Sequence, residues 1–321
     1  MSPVARGAAV GAVILSAGAP AAYGEFTAMA TGDLGEFGPL VTTEWLEAHL
    51  GDPGLRVVDV RGSVTTRPVG PGVEEAIYRG APEEYRAGHI PGAVYVDWTR
   101  DIVDPDDPVP AQVAGPEGFA AVMSARGIGD ATRVVAVDHM GGQFATRLWW
   151  ALRYYGHEGV GVLDGGWNRW VEEGRPVEPG DVSPPRADFH PQTRPELRAT
   201  AEEVKARLGE AGLQLIDARD AAQYTGAKRR GRRGGHIPGA LNVPRETFFA
   251  EGGGFLPLDA MRGRVEALGL RPDRPTLAYC NGGVAATVVL FNLFRLGQGR
   301  LTNYDGSWNE WGERVDLPVG P

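Results

Sequence analysis

The sequence repeats itself, and this repeat limits the fold more than any other feature. The five residues His-Ile-Pro-Gly-Ala occur at 89–93 and again at 236–240. Three further blocks recur in the same order along the chain. They are Asp59-Val60-Arg61 with Asp217-Ala218-Arg219, Gly141-Gly142 with Gly282-Gly283, and Asp164-Gly165-Gly166-Trp167 with Asp305-Gly306-Ser307-Trp308, the last two pairs both at a spacing of 141 residues. An ordered set of matches like this one indicates a duplicated domain.

The duplication divides the 321 residues into two units. The first unit is predicted at 38–176 and the second at 197–321, and the proline-rich stretch 177–196 is expected to be an extended linker. Residues 1–37 are expected to form a disordered N-terminal extension. If they carry no export signal, the expected location of the protein is the cytoplasm. The alternative is that the apolar residues near the start, 1–22, act as a signal peptide and the protein is exported.

Within each unit, short runs rich in Val, Ile and Leu alternate with stretches of helical spacing. Strands are predicted at 55–60, 94–96, 133–137 and 159–163 in the first unit, and at 213–216, 241–243, 276–279 and 302–304 in the second. Helices are predicted at 42–50, 116–126, 144–155, 200–208 and 285–296. This alternation predicts an α/β fold in which each unit has a mainly parallel sheet flanked by helices. Ligands of such sheets bind beyond the carboxyl ends of the strands.

Charge and cysteine content exclude several classes of protein. The chain has 32 Lys and Arg against 41 Asp and Glu, and this net charge of −9 disfavours broad binding to nucleic acid. With Cys280 as the single cysteine, neither an intrachain disulfide nor a multi-cysteine zinc site is possible, and the histidines show no metal-ligand spacing. The apolar run 8–22 is shorter than the ~20 residues of a membrane span. We therefore expect no metal, no nucleic acid and no membrane among the partners.

Cys280 lies where a predicted strand ends and a helix follows after a glycine-rich turn. The loop and the start of this helix comprise Asn281, Gly282, Gly283, Val284, Ala285 and Ala286. Glycines permit a tight turn, and the free N–H groups at the start of a helix stabilise an anion. This environment favours the reactive thiolate, whereas a buried, inert cysteine is the alternative. Cys280 is therefore predicted to be the nucleophile, with the N–H groups of this segment cradling the charged sulfur.

Together these motifs resemble the rhodanese family of sulfurtransferases, in the two-domain form that includes thiosulfate and 3-mercaptopyruvate sulfurtransferases. The repeated His-Ile-Pro-Gly-Ala, the two Asp-x-Arg motifs, the segment 279–284 and Arg147-Leu148-Trp149-Trp150 carry the resemblance, which covers about residues 38–318. It implies two tandem rhodanese-like domains, of which the second is catalytic. At a spacing of 141 residues His139 takes the place of Cys280, so the first unit is expected to have no nucleophile.

The resemblance implies that sulfur is transferred by covalent catalysis. The Cys280 thiolate would attack the outer sulfur of a donor, become a persulfide and pass that sulfur to a thiophilic acceptor. Expected acceptors are cyanide, thiols and a thioredoxin-like protein, and no cofactor is needed besides the persulfide. Thiosulfate is the expected donor, which makes the chain a thiosulfate sulfurtransferase.

Two alternatives stay open on the sequence alone. 3-Mercaptopyruvate is the alternative donor, with the same nucleophile, and a catalytically silent binding module is the second alternative. A cysteine-dependent phosphatase is excluded, because such an enzyme needs an arginine in the loop and none lies between Cys280 and Thr287.

Arg219 matches the family arginine that faces the anionic donor, and an ion pair with the nearby Asp217 is the alternative role. The basic run 228–233 is expected to be a solvated, flexible loop, with attraction of the anionic donor as its alternative role.

Four further residues in the repeated motifs are expected to be structural. His89 and His236 recur in the same motif and should hydrogen-bond a loop between strand and helix. Asp164 and Asp305 precede turns and helices and are predicted to cap them.

Overall fold

The computed structural model describes residues 37–320, so the predicted N-terminal extension, apart from Phe37, lies outside the described residues. The elements of the first unit are β1 (Leu40–Val41), α1 (Thr43–His49), β2 (Leu55–Asp59), β3 (Gly62–Gly70), β4 (Val73–Gly80), α2 (Pro82–Ala87), β5 (Val94–Tyr95), α3 (Pro116–Ala125), β6 (Arg133–Val137), α4 (Gln143–Tyr154), β7 (Val160–Leu163) and α5 (Gly166–Glu172). Those of the second unit are β8 (Arg198–Ala199), α6 (Ala201–Ala206), β9 (Gln214–Asp217), α7 (Ala221–Tyr224), β10 (Arg229–Arg230), β11 (Leu241–Asn242), α8 (Leu258–Ala267), β12 (Thr276–Tyr279), α9 (Ala286–Arg295), β13 (Leu301–Tyr304) and α10 (Ser307–Trp311). Short 3-10 helices lie at Pro195–Leu197 and Arg245–Phe248.

Each unit contains one five-stranded sheet in which neighbouring strands run parallel. The strand order is β1-β7-β6-β2-β5 in the first unit and β8-β13-β12-β9-β11 in the second. These two orders are the same when the strands are matched along the sequence, so the duplication extends to the topology. The predicted α/β class is confirmed.

The central strand of the second sheet, β12, is buried along its whole length. Leu277 and Ala278 are fully enclosed, and Thr276 and Tyr279 are buried as well. A strand covered on both faces is typically a short, continuously apolar run rather than an alternating one. This is why 276–279 could be identified as a strand, and it places the next residue, Cys280, at the carboxyl end of the sheet.

A β-hairpin that the sequence analysis did not anticipate connects the two units. Strands β3 and β4 pair antiparallel, and β4 also pairs parallel with β10 of the second unit. The signal for the hairpin was a Pro71-Gly72 turn between runs of β-forming residues. It was weak because most of β3 is exposed and Pro68 interrupts it. Proline is tolerated there because β3 is the edge strand of this sheet.

The hairpin changes the interpretation of the basic run 228–233. The prediction of a flexible loop is wrong, because Arg229 and Arg230 form β10 and pair with β4. The prediction that the run is solvated holds for Lys228, Arg229 and Arg232, which are exposed. Arg233 is anchored too, since its guanidinium donates to the carbonyls of Gly312, at 3.2 Å, and Leu317, at 2.7 Å. Carbonyl groups of the last turns of the chain thus hold a segment that the charge pattern alone assigns to solvent.

Apolar packing between helices α4 and α9 joins the two units. Helix α9 packs on α4, where Trp149 meets Phe291 edge to face with ring centroids 5.1 Å apart. Phe255, Val284 and Phe291 of the second unit belong to the same buried apolar cluster as the core of the first unit. The loop that contains Cys280 immediately precedes α9, so this packing holds it against the first unit.

The predicted linker, 177–196, has neither a strand nor an α-helix and runs along the first unit. Phe189 is buried against Phe119, and the N–H of Val182 donates to the hydroxyl of Tyr85. The domain limits given above stay predictions. Among residues 37–320, no helix is both long and apolar enough to cross a membrane.

Candidate active site

Cys280 lines a cavity of about 190 Å³ at the carboxyl ends of the second sheet's strands. The residue is only 3% exposed, so a small molecule would reach the thiol through this cavity. The edge of the sheet is the one at which α/β folds bind ligands. Of the other predicted site residues, Asn281, Gly282, Val284, Ala285 and Arg219 line the same cavity.

The turn after Cys280 is held by one hydroxyl group and one glycine. The Ser307 hydroxyl accepts the N–H groups of Cys280 and Gly283, at 3.1 and 3.0 Å, and itself donates to the Tyr304 carbonyl. Gly283 has a φ of +68°, and a Cβ atom there would lie 2.6 Å from Oδ1 of Asp305. Only glycine satisfies both the left-handed backbone and this close approach.

The N–H groups around the cavity are mostly without acceptors. Among residues 37–320, no acceptor is found for five of the six N–H groups predicted to form the cradle, whereas that of Gly283 is bound to Ser307. The five belong to Asn281, Gly282, Val284, Ala285 and Ala286. Helix α9 begins directly after this loop, so its positive end faces the loop, and no side chain caps that end.

The first unit places Asp138, not His139, at the position of Cys280. In the two sheets Val137 lies opposite Asp59 as Tyr279 lies opposite Asp217, and the next residue in each case begins the loop. The carbonyl of Asp138 accepts the N–H of Trp167, and that of Cys280 accepts the N–H of Trp308. The expectation for His139 was wrong because the loop of the first unit is one residue longer, which shifts the repeat spacing before the glycine pair.

Asp138 shows what this loop does with an anion. Its buried carboxylate accepts four backbone N–H groups of its own loop and helix start. They belong to Met140, Gly142, Phe144 and Ala145, at 2.9, 2.9, 2.6 and 3.0 Å. A carboxylate thus occupies the position that corresponds to the thiol of Cys280. The duplicated loop is therefore an anion-binding turn in the unit that has no cysteine.

Two basic residues line the cavity beside Cys280: Arg230, which belongs to the run whose alternative predicted role was attraction of the donor, and Arg245, which was not predicted. Arg230 comes from β10, and its buried Nε has no hydrogen-bond acceptor within residues 37–320. Arg245 comes from the 3-10 helix after β11; it donates to Oε1 of Gln143 in the first unit and to Glu246. No local motif marks Arg245, and Arg230 was part of the basic run.

Tyr78 of the hairpin lines the same cavity. Burial raises the pKa of its phenol, so the hydroxyl stays protonated at neutral pH and can donate a hydrogen bond. The side-chain amide of Asn309 lies 3.4 Å from this oxygen. The cavity therefore combines residues of both units with guanidinium and hydroxyl donors.

Arg219 lines the cavity, but most of its guanidinium is already bound. Nε and Nη2 donate to the Asp217 carboxylate, and Nη2 also donates to the Gly235 carbonyl at 2.7 Å. The guanidinium lies 4.2 Å from the Trp308 ring centroid. Burial alone would lower the pKa of Arg219, but the bonds and charge of Asp217 outweigh it and raise this pKa.

The first unit contains the same arrangement without a thiol. Arg61 pairs with Asp59, donates to the Gly88 carbonyl at 2.6 Å and lies 4.2 Å from the Trp167 ring centroid. An arrangement present in both units does not depend on catalysis. The geometry thus favours the ion-pair role of Arg219 over contact with a donor.

The repeated histidines are structural, as predicted. His89 stacks on Tyr85 and His236 on Tyr224, with ring centroids 4.2 and 3.8 Å apart. In each case Nδ1 of the histidine also lies within hydrogen-bond distance of the carbonyl oxygen of the same tyrosine. These contacts fix the turn that leads into the next strand.

The prediction that Asp164 and Asp305 cap helices is wrong. Neither α5 nor α10 has a side-chain cap. Asp164 instead pairs with Arg169 and accepts the N–H of Phe255. Asp305 pairs with Arg147 of the first unit, so both carboxylates form contacts between the units rather than local caps.

Comparison with known proteins agrees with this architecture. The family model described as Rhodanese-like domain matches the chain twice, at residues 42–173 and 200–314. The chain is 36% identical over 284 residues to a 3-mercaptopyruvate sulfurtransferase of Escherichia coli (strain K12), covering 88% of this chain and 97% of that protein. It is 34% identical over 307 residues to the mitochondrial thiosulfate/3-mercaptopyruvate sulfurtransferase 1 of Arabidopsis thaliana, with coverages of 88% and 78%.

A solved structure supports the same assignment. The crystal structure of SseA from Escherichia coli, described as a 3-mercaptopyruvate sulfotransferase, matches with a TM-score of 0.73 and 34% sequence identity. This match covers 84% of this chain and 98% of that one. With two copies of the domain and relatives aligned along nearly their whole length, the chain belongs to the rhodanese family, in its two-domain form.

Proposed function

We propose that this sulfurtransferase carries sulfane sulfur as a persulfide on Cys280, and that the second unit, 197–321, is its catalytic domain. The observation that carries the proposal is the Asp138 carboxylate, which lies in the equivalent loop and accepts four N–H groups. Of the corresponding N–H groups around Cys280, that of Gly283 is bound to Ser307, and those of Asn281, Ala285 and Ala286 have no acceptor among residues 37–320. A loop built to hold a negative charge suits a thiolate and the terminal sulfur of a persulfide.

The chemistry balances without a cofactor. The Cys280 thiolate attacks the outer sulfur of thiosulfate, a new S–S bond forms, and sulfite leaves with the electron pair of the broken S–S bond. An acceptor such as cyanide or a thiolate then attacks the outer sulfur of the persulfide. Thiocyanate or a new persulfide leaves, and the Cys280 thiolate is regenerated. Small thiols and a thioredoxin-like protein are the proposed acceptors besides cyanide.

Thiosulfate is the proposed donor because the cavity is small and has guanidinium groups on its walls. Arg230 and Arg245 face the space next to Cys280, while the loop itself contains no basic residue. A dianionic donor would be held by these two side chains and by the phenol of Tyr78. Their location on β10 and on the 3-10 helix provides the positive charge that the loop lacks.

3-Mercaptopyruvate is the second candidate donor, favoured by the name of the Escherichia coli relative. The same two arginines would then hold the carboxylate of the donor. The Cys280 thiolate would attack the donor sulfur, the C–S bond would break, and pyruvate would leave as its enolate and take up a proton. Both donors lead to the same persulfide, so the proposals differ only in what the cavity accepts.

The test is to incubate the protein with each donor and measure its intact mass before cyanide is added. A persulfide adds roughly 32 Da, and Cys280→Ser should show no such adduct and form no thiocyanate while keeping its fold. The donor with the higher kcat/KM is the preferred substrate. A wild-type protein that gains no mass and forms no thiocyanate with either donor would contradict the proposal and favour a binding module.

A further inference from the structure

Arg147, from the non-catalytic unit, reaches the loop that contains Cys280. It lies on α4, is 1% exposed, and its Nη1 donates to Oδ1 of Asp305 at 2.5 Å and to the carbonyl of Gly283 at 3.2 Å. Nη2 donates to the carbonyl of Ala111 at 2.8 Å. One guanidinium thus bonds to the active-site loop and to the strand end that supports it.

The contact of Arg147 with Gly283, together with that of Asn303, fixes the direction of a neighbouring N–H group. In a planar trans peptide the carbonyl and the following N–H point in opposite directions. The Gly283 carbonyl points towards Arg147 and the side chain of Asn303, which donates to it at 3.0 Å. The N–H of Val284 therefore points away from Arg147, and Val284 lines the cavity with Cys280.

Asp305 fixes Arg147 in this orientation. It is fully buried, and its Oδ2 accepts the N–H of Val113 at 2.9 Å and lies 3.4 Å from Nε of Arg198. A charge this deeply buried is stable only with such partners, and the network leaves Arg147 little freedom to move. The side chain of Asp305 also packs against Gly283, so the carboxylate supports the turn directly.

The arrangement occurs in one direction only. At the repeat spacing of 141 residues, Val288 takes the place of Arg147, so the second unit provides no arginine for the first loop. Asp164, the counterpart of Asp305, pairs instead with Arg169 of its own unit. The contact from an arginine of the opposite unit is therefore made only to the loop with the cysteine, although Phe255 of the second unit donates its N–H to Asp164.

We infer that Arg147 is a positioning residue of the active site: from the first unit it holds the Gly283 peptide so that the N–H of Val284 faces the charged sulfur of Cys280. This role rests on the proposed function of Cys280. It gives the unit without a nucleophile a role in catalysis, because Arg147 orients the anion cradle together with Asn303 of the catalytic unit.

The test compares Arg147→Met with Arg198→Met, which also removes a cationic partner of Asp305 but leaves Gly283 untouched. We expect Arg147→Met to lower kcat on the order of tenfold, with KM for the donor unchanged within about twofold. Removing a direct donor to an oxyanion lowers kcat by about 10²–10³, and Arg147 acts indirectly, through the Gly283 peptide, so its loss should cost less. The isolated persulfide should also lose its sulfur faster. Arg198→Met should keep kcat near that of the wild type.

A second measurement does not depend on sulfur transfer. The rate at which iodoacetamide alkylates Cys280 at neutral pH reports the thiolate, and Arg147→Met should slow it by roughly tenfold. Arg147→Lys should recover part of this rate, and it carries the test if Arg147→Met does not fold. If Arg147→Met and Arg198→Met had the same alkylation rate and the same kcat, Arg147 would support the fold only and would not position the active site. A wild-type chain that is alkylated rapidly but takes up no sulfur would contradict only the proposed function.

Discussion

The hydroxyl oxygens of Thr146 and Thr287 lie 2.9 Å apart, although 141 positions separate the two residues in the chain. This separation equals the repeat spacing, so the pair joins equivalent residues of the two units. Equivalent residues touch when they lie near a local twofold axis. The loops that precede α4 and α9 therefore meet at one interface, which explains why Met140 of the first loop and Gln143 at the start of α4 line the cavity of Cys280.

Asp138→Ala should destabilise the protein. Four N–H groups would lose their acceptor in a buried loop, and each unsatisfied buried donor costs about 1–3 kcal/mol, which water entering the loop partly offsets. We expect a loss of about 3 kcal/mol in the free energy of unfolding, measured with urea. Asp138→Asn keeps one carbonyl oxygen, so its free energy of unfolding should lie between those of the wild type and Asp138→Ala. An Asp138→Ala protein as stable as the wild type would mean that the carboxylate does not hold the loop.

His139→Ala should leave both sulfur transfer and stability close to those of the wild type. The structure displaces His139 from the position that corresponds to Cys280, and the described contact of this residue is through its carbonyl, which accepts from Asn168. The measurement is kcat/KM with the better of the two donors. A loss of tenfold or more would mean that the first loop takes part in the reaction through this imidazole.

Arg245→Met should raise KM for an anionic donor roughly tenfold, equivalent to about 1.4 kcal/mol, because a positive charge is removed from the cavity wall. The effect on kcat should be smaller, since Arg245 contributes to binding the donor rather than to the cysteine loop. In the wild type, higher ionic strength should weaken donor binding in the same direction. The measurement is steady-state thiocyanate formation.

Two controls separate the charge of Arg245 from its contact between the units. Arg271→Met removes an exposed arginine far from these walls and should not change KM. Gln143→Leu removes the acceptor of Arg245 in the first unit but keeps the charge. If Gln143→Leu raised KM as much as Arg245→Met, the contact between the units and not the positive charge would bind the donor.

The parts of the site that could be predicted from the sequence are local. The β12 strand, the glycine turn and the start of α9 lie within a few residues of Cys280, and hydrophobic periodicity and turn chemistry are sufficient to identify such a segment. The α/β class with mainly parallel sheets follows from the same alternation of strands and helices. Contacts of this kind are encoded by neighbours in the chain.

The parts that escaped prediction depend on distant partners. Asp305 and Arg147 are 158 positions apart, so Asp305 looked like a cap when only its own helix was considered. Arg230 belongs to a charged run of the kind that usually faces solvent, so a role at the donor site was only the alternative prediction for it, and its pairing with β4 places it on the cavity wall. Asp138 was missed because one extra residue in its loop shifted the repeat spacing.

Gly283→Ala should abolish sulfur transfer and lower stability more than a simple glycine substitution does. Its φ of +68° strains any other residue by about 1 kcal/mol, and the new Cβ would also lie 2.6 Å from Oδ1 and 2.7 Å from the carbonyl oxygen of Asp305. Gly239→Ala is the matched control, because its φ is +82° and a Cβ there meets nothing within 4 Å. The difference between the two variants in melting temperature isolates the steric contact with Asp305. If both variants lost the same stability and kept their activity, the close packing of the turn on Asp305 would not be what shapes the cradle around Cys280.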